Sequence, residues 1–119
     1  FAVYVMKLVL EWVKGEGGVE EMERRNARKS ARLYEVLDHS GFYLPIAHPE
    51  SRSTMNVTFH LPSDELLQHL LSEADAVGLY AVKGHAEVGG IRASIYNAMP
   101  CEGVETLAQF MIEFERRNG

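Results

Sequence analysis

A chain of 119 residues, 46% hydrophobic and 24% charged, suits a single domain with one buried core. Its formal net charge of −5 argues against a nucleic-acid surface, and its one cysteine, Cys101, excludes an internal disulfide framework and a cysteine metal site. No apolar run approaches the ~20 residues that span a bilayer, so neither a membrane anchor nor a secretory signal is expected, and a reducing cytoplasm suits the lone thiol.

Residues 1–14 predict a helix that is apolar nearly all round, interrupted by Lys7 and Glu11. A small domain cannot bury such a helix alone. It also starts without Met and without a Ser, Thr, Asp or Asn cap. Both features predict a piece of a longer protein, in which a further domain or subunit covers this helix. Gly15-Glu16-Gly17-Gly18 breaks the pattern, and a second helix is expected over residues 19–40, stopped by Gly41. Along it Arg24, Arg28 and Arg32 recur at helical spacing with Glu20, Glu21 and Glu23 one turn before, which predicts a solvated, salt-bridged face.

Residues 42–46 read as a short strand, 48–51 as a loop, and 54–61 as a strand in which Met55, Val57 and Phe59 alternate with Asn56, Thr58 and His60. Ser63 is a candidate cap for a helix reaching Ala76, with Leu66, Leu67, Leu70 and Leu71 as its core stripe and Gly78 as its stop. Strands are expected near residues 79–82 and 90–96. A closing helix over 103–117 turns Leu107, Phe110, Met111 and Phe114 inward, with Cys101 near its start. The fold class is α+β: a small, mostly antiparallel sheet covered by helices.

The stretch KGHAEVGGIRASIYNAMP, residues 83–100, carries the chemistry. Ile91, Ala93 and Ile95 alternate with Arg92, Ser94 and Tyr96, so Arg92 points away from the apolar face. Small neighbours and Gly89-Gly90 leave its backbone lightly covered, and its planar fork suits a carboxylate or phosphate. A reversal at the glycines would bring His85 to the same side. The pattern alone favours an ordinary hairpin whose arginine pairs with a surface carboxylate. His39, His48, His60 and His69 show no ligand spacing, so no metal site is expected. Arg52 reads as a loop-stabilising pair, and Tyr96 and Asn97 as residues that end the strand.

HAEVGGIRASIYNAMP, residues 85–100, resembles a GH-R-x-VGG-x-RAS-x-YN-A pattern of the phosphoserine aminotransferase family. Trp12-Val13-Lys14 followed by Gly17-Gly18-Val19, Met22-Glu23-Arg24-Arg25-Asn26, Arg52-Ser53-Thr54-Met55-Asn56-Val57 and Phe114-Glu115-Arg116-Arg117 extend the resemblance over essentially the whole chain. It implies the small C-terminal domain of a fold-type-I enzyme dependent on pyridoxal 5'-phosphate, with residues 1–18 leading in from a large domain and residues 19–119 forming the small one. The Schiff-base lysine and the cofactor would lie upstream, so Lys7, Lys14, Lys29 and Lys83 are not catalytic and the chain alone is expected to be inactive.

The resemblance further implies a cytoplasmic homodimer that exchanges an amino group between glutamate and 3-phosphohydroxypyruvate, giving 2-oxoglutarate and phosphoserine for serine and pyridoxine synthesis. Arg92 matches the arginine for the substrate α-carboxylate, and His85 a histidine near the substrate phosphate. Where the family usually has an arginine after that histidine, this chain has Ala86 and then Glu87, which puts phosphate selectivity in question. The alternatives are a non-catalytic anion- or protein-binding module and a related aminotransferase with a different acid substrate.

Overall fold

In the computed structural model, which describes residues 1–119, α1 (Ala2–Gly15) and α2 (Gly18–His39) meet at a joint where Gly17 and Gly18 take φ of 116° and 83°. A side chain rarely adopts this left-handed backbone, so the glycines permit the sharp change of direction. α1 buries none of its residues; Val3, Tyr4, Leu8 and Leu10 are among those left exposed. In α2 the buried positions are Met22, Asn26, Lys29, Ser30, Leu33, Val36 and Leu37, an inward stripe at helical spacing that includes a lysine.

After α2, Ser40 Oγ accepts hydrogen bonds from the amides of Phe42 and Tyr43 at 3.0 and 3.1 Å. Phe42 and Tyr43 are both buried, and successive residues of a strand cannot share one face. This bend limits the strand expected over 42–46 to β1 (Leu44–Pro45). A 3-10 turn, Pro49–Ser51, precedes β2 (Asn56–His60). Ser63 then caps α3 (Asp64–Ala76) by accepting from the Leu66 amide at 3.2 Å.

Residues 79–82 are not a strand: Ala81 has φ of 59°, which breaks an extended run, and only Lys83 forms an isolated antiparallel bridge, to Ile91. β3 (Ile91–Ser94) and α4 (Cys101–Asn118) complete the fold. The sheet has the order β1-β2-β3 and is antiparallel throughout, with Val57 opposite Ala93 and Phe59 opposite Ile91. These four residues face one core with Leu33, Leu37, Leu70, Met111 and Phe114. Tyr43 crosses that core to donate its hydroxyl to the Met111 carbonyl at 2.7 Å, and burial pushes its phenol pKa up.

The basic face of α2 is more than a solvated stripe. Arg24 and Arg25 pair with Glu21 as the spacing predicts, but Arg32 reaches across to Glu105 of α4 in a two-pronged contact at 2.7 and 3.0 Å, and Arg28 has no carboxylate partner. Hydrogen bonds from Arg32 and then Gln109 pull Glu105 from its ordinary 4.5 to about 2. A carboxylate whose folded pKa is depressed stabilises the fold fully above its unfolded pKa and loses that contribution as pH falls through the folded one. The urea midpoint is therefore expected to drop between about pH 4.5 and pH 2, and Arg32→Met should flatten that drop. Because the pair is only half-buried, the effect is modest and salt-sensitive.

Candidate anion-binding site

The loop between α3 and β3 is closed by the Gly84 amide, which donates to the Gly90 carbonyl at 2.8 Å, and by the Arg92 amide, which donates to Val82 at 2.8 Å. Within it, the amides of Val88 and Gly89 both donate to the His85 carbonyl. Gly90 sits at φ of 66°, pressed against β2: a Cβ there would lie 2.5 Å from the Phe59 carbonyl oxygen and 2.8 Å from His60 Nδ1. Only glycine accommodates both the backbone angle and the approach.

This turn sets Arg92 on the half-covered face of β3, between buried Ile91 and Ala93. Its guanidinium has no carboxylate within 4.0 Å, whereas Arg24, Arg25, Arg32, Arg52, Arg116 and Arg117 all have one. Arg92 Nε is buried without any hydrogen-bond partner. The hairpin reading, with Arg92 paired to a surface carboxylate, is therefore not what forms. A buried donor left unpaired costs about 1–3 kcal/mol, and an anion removes that cost.

The guanidinium lines a cavity of about 410 Å³ together with Tyr80, Val82, Ser94, Tyr96 and Met99. Largely apolar walls around one cationic fork are suited to a small carboxylate-bearing molecule. A larger groove of about 590 Å³ lies between α2 and α4, but its Arg32, Glu35 and Glu105 satisfy one another. Arg28 on that groove also lacks a carboxylate but has no buried orphan atom; the smaller cavity is the better candidate because its arginine has an Nε that is both buried and unpartnered.

His85 does not line that cavity. It stands exposed on the turn, where its Nδ1 accepts from the Glu87 amide at 3.3 Å. A neutral ring that accepts at Nδ1 carries its proton on Nε2, so the free edge of His85 is a donor. Ala86 and Glu87 are exposed beside it. Arg52 forms the expected loop pair, two-pronged to Asp38 at 2.8 and 2.6 Å and stacked 4.5 Å from the Tyr34 ring. No group of three or more His, Cys, Asp or Glu side chains is placed to hold a metal ion.

Sequence reasoning missed Lys29. It is 2% exposed, and its ammonium donates to the carbonyls of Met99 at 2.9 Å and Tyr96 at 3.0 Å, with the Asn97 carbonyl at 3.5 Å. Asn26 Nδ2 donates to Asn97 Oδ1 at 2.7 Å. Burial lowers the lysine pKa. The signal was its place on the inward stripe of α2, hidden inside a run of basic residues.

A lysine that forms a Schiff base must offer a free amine inside a pocket. Lys29 is committed to carbonyls, and Lys7, Lys14 and Lys83 are exposed. The lysines of this chain therefore do not fit covalent attachment of pyridoxal phosphate.

The model for class-V aminotransferases matches residues 1–107, and the chain belongs to that family. Within it, the chain is similar to the phosphoserine aminotransferase of Geobacillus kaustophilus (strain HTA426), 57% identical over 118 residues, which covers 98% of this chain and 33% of that protein. The solved phosphoserine aminotransferase from Bacillus circulans subsp. alkalophilus superposes with a TM-score of 0.97 at 42% identity, over 100% of this chain and 33% of that one. The phosphoserine aminotransferase from Trichomonas vaginalis, solved with PLP bound, gives a TM-score of 0.81 at 33% identity, over 86% of this chain and 30% of that one. This chain thus spans about a third of the length of these relatives. No helix is long and apolar enough to cross a membrane.

Proposed function

We propose that this chain is the small C-terminal domain of a phosphoserine aminotransferase, and that Arg92 binds the α-carboxylate of its substrates. The observation that carries the reading is the unpaired, half-covered Arg92 guanidinium in its apolar-walled cavity. Residues 1–18 lead into the domain and residues 19–119 form it. The exposed apolar surface of α1 supports this division, since a larger upstream domain would cover it.

In this reading the whole protein is a cytoplasmic homodimer that exchanges an amino group between glutamate and 3-phosphohydroxypyruvate. Pyridoxal phosphate and its lysine belong to the upstream domain. The contribution of this chain is substrate recognition: Arg92 fixes one anionic end, and the Nε2–H edge of His85 is offered to the other. Two ends held at separate points orient the molecule as one anion site alone does not.

The test is steady-state transamination by the full-length protein and its Arg92→Ala variant. Loss of one charge-assisted contact costs about 1.5–3 kcal/mol, so kcat/KM is expected to fall about 10–150-fold. An unchanged kcat/KM would overturn the role of Arg92.

Ala86 and Glu87 favour a second reading, a related aminotransferase for an unphosphorylated acid, because the turn offers His85 no guanidinium neighbour and adds a carboxylate. Comparing phosphoserine with serine as amino donor separates the two: preference for phosphoserine supports the first reading, and preference for serine the second.

A further inference from the structure

We propose that Lys29 is a positioning residue for the Arg92 cavity: its ammonium fixes the segment after β3, and with it the Tyr96 and Met99 walls that face the guanidinium. The inference rests on Arg92 as a carboxylate ligand and adds a residue which that reading does not contain.

The segment from Tyr96 to Pro100 belongs to no helix or strand. Before it, the Ile95 amide is tied to the Met55 carbonyl at 2.6 Å; inside it, one turn bond joins the Met99 amide to Tyr96. At its far end the Pro100 carbonyl accepts from the amides of Gly103 and Val104 in α4 at 3.1 and 3.4 Å, and between these points the restraints come from α2. Lys29 draws the carbonyls of residues 96, 97 and 99 toward one point, and Asn26 holds the Asn97 side chain from one turn earlier. Three carbonyl oxygens that converge repel one another unless a cation or several donors stand between them. An ammonium has three donors and the charge, and here it has three acceptors.

Burying that charge without a carboxylate is costly, and well-packed apolar side chains often replace buried charges without loss of stability. Stability alone therefore gives a weak reason for a lysine at this position. Geometry gives a stronger one, because Tyr96 and Met99 line the same cavity as Arg92. Tyr96 is 69% exposed, so its placement comes chiefly from the backbone that Lys29 holds, whereas Met99, 40% exposed, also rests with its Sδ against Gly103 of α4. Releasing the carbonyls lets the wall move away from the guanidinium, which widens the place where a carboxylate sits.

The test uses the full-length protein and steady-state kinetics with glutamate. Lys29→Met keeps the length and removes the charge. KM for glutamate is expected to rise about tenfold while kcat changes less than about twofold, since the wall positions a binding group and touches no reacting atom. The double variant with Arg92→Ala should bind no worse than Arg92→Ala alone, because a wall has nothing to aim once the guanidinium is gone.

An unchanged KM in Lys29→Met, whatever happens to its melting temperature, overturns the inference, and so does full additivity in the double variant. If Arg92→Ala itself leaves kcat/KM unchanged, the carboxylate reading fails and the inference falls with it. If Arg92→Ala lowers kcat/KM and Lys29→Met leaves KM unchanged, only the inference fails. Should the methionine variant not fold, Lys29→Gln, which keeps donors but not charge, carries the same comparison.

Discussion

Gly90→Ala is expected to lower the unfolding free energy by about 2–5 kcal/mol, as left-handed strain and steric overlap add. The strain arises because Gly90 has φ of 66°; the overlap arises because the new methyl would meet the Phe59 carbonyl oxygen at 2.5 Å. That oxygen belongs to the β2 backbone and cannot swing aside as a flexible side chain would. Gly89→Ala separates the two causes, since Gly89 also has positive φ, 75°, but a Cβ there meets nothing within 4 Å. It should cost only the ~1–2 kcal/mol of strain. Urea unfolding followed by far-ultraviolet circular dichroism compares the two, and equal losses would show that the contact with β2 contributes nothing. Gly90 adjoins β3, so its replacement should also displace the turn that carries His85.

Phe114→Ala should cost about 3–5 kcal/mol, the range for deleting a fully buried aromatic ring. Phe114 is 0% exposed and joins three parts of the fold: its ring lies 5.4 Å from His69 of α3, 6.1 Å from Phe42 in the bend before β1, and 6.2 Å from Phe110 of its own helix. The cavity left behind would border elements that come from distant parts of the sequence, so no single local shift can fill it. For a domain of this size the melting temperature should fall by about 10–25 °C. Ile112→Ala, at a residue 42% exposed on the same helix, should stay within about 0.5 kcal/mol. A loss below about 1 kcal/mol for Phe114→Ala would mean that α4 is not packed as described. Trp12 stands on α1, away from this core, so circular dichroism is a better probe than tryptophan fluorescence.

Local signals in the sequence carried the helices furthest. Ser63 marks the start of α3 because its hydroxyl is one bond from a free amide, and the alternation through Val57 and Phe59 gives β2 its inward face. Arg52 was legible as a loop-stabilising pair, although its partners Asp38 and Tyr34 lie 14 and 18 residues back on α2, where the sequence does not point to them. Residues 79–82 misled because apolar composition resembles a strand, whereas the left-handed Ala81 follows from tertiary context.

Arg92 was legible as an outward residue of β3, but its lack of a partner depends on what the rest of the chain brings near it. Lys29 was the harder case. Its acceptors lie 67–70 residues away, and nothing in a basic run announces which member turns inward. The periodicity of Met22, Asn26, Leu33 and Val36 does so only once the inward face of α2 is known.

A three-stranded antiparallel sheet has two rims of backbone groups that a stray strand can adopt, the usual route to edge-to-edge aggregation. Here one rim is a strand of two residues, Leu44–Pro45, and its proline has no amide hydrogen to offer. The opposite rim is occupied along half its length, where Lys83 bridges to Ile91 and Val82 accepts from the Arg92 amide. The sheet therefore gives foreign strands little template, and any association of this domain with another protein surface falls to its helices rather than to strand pairing.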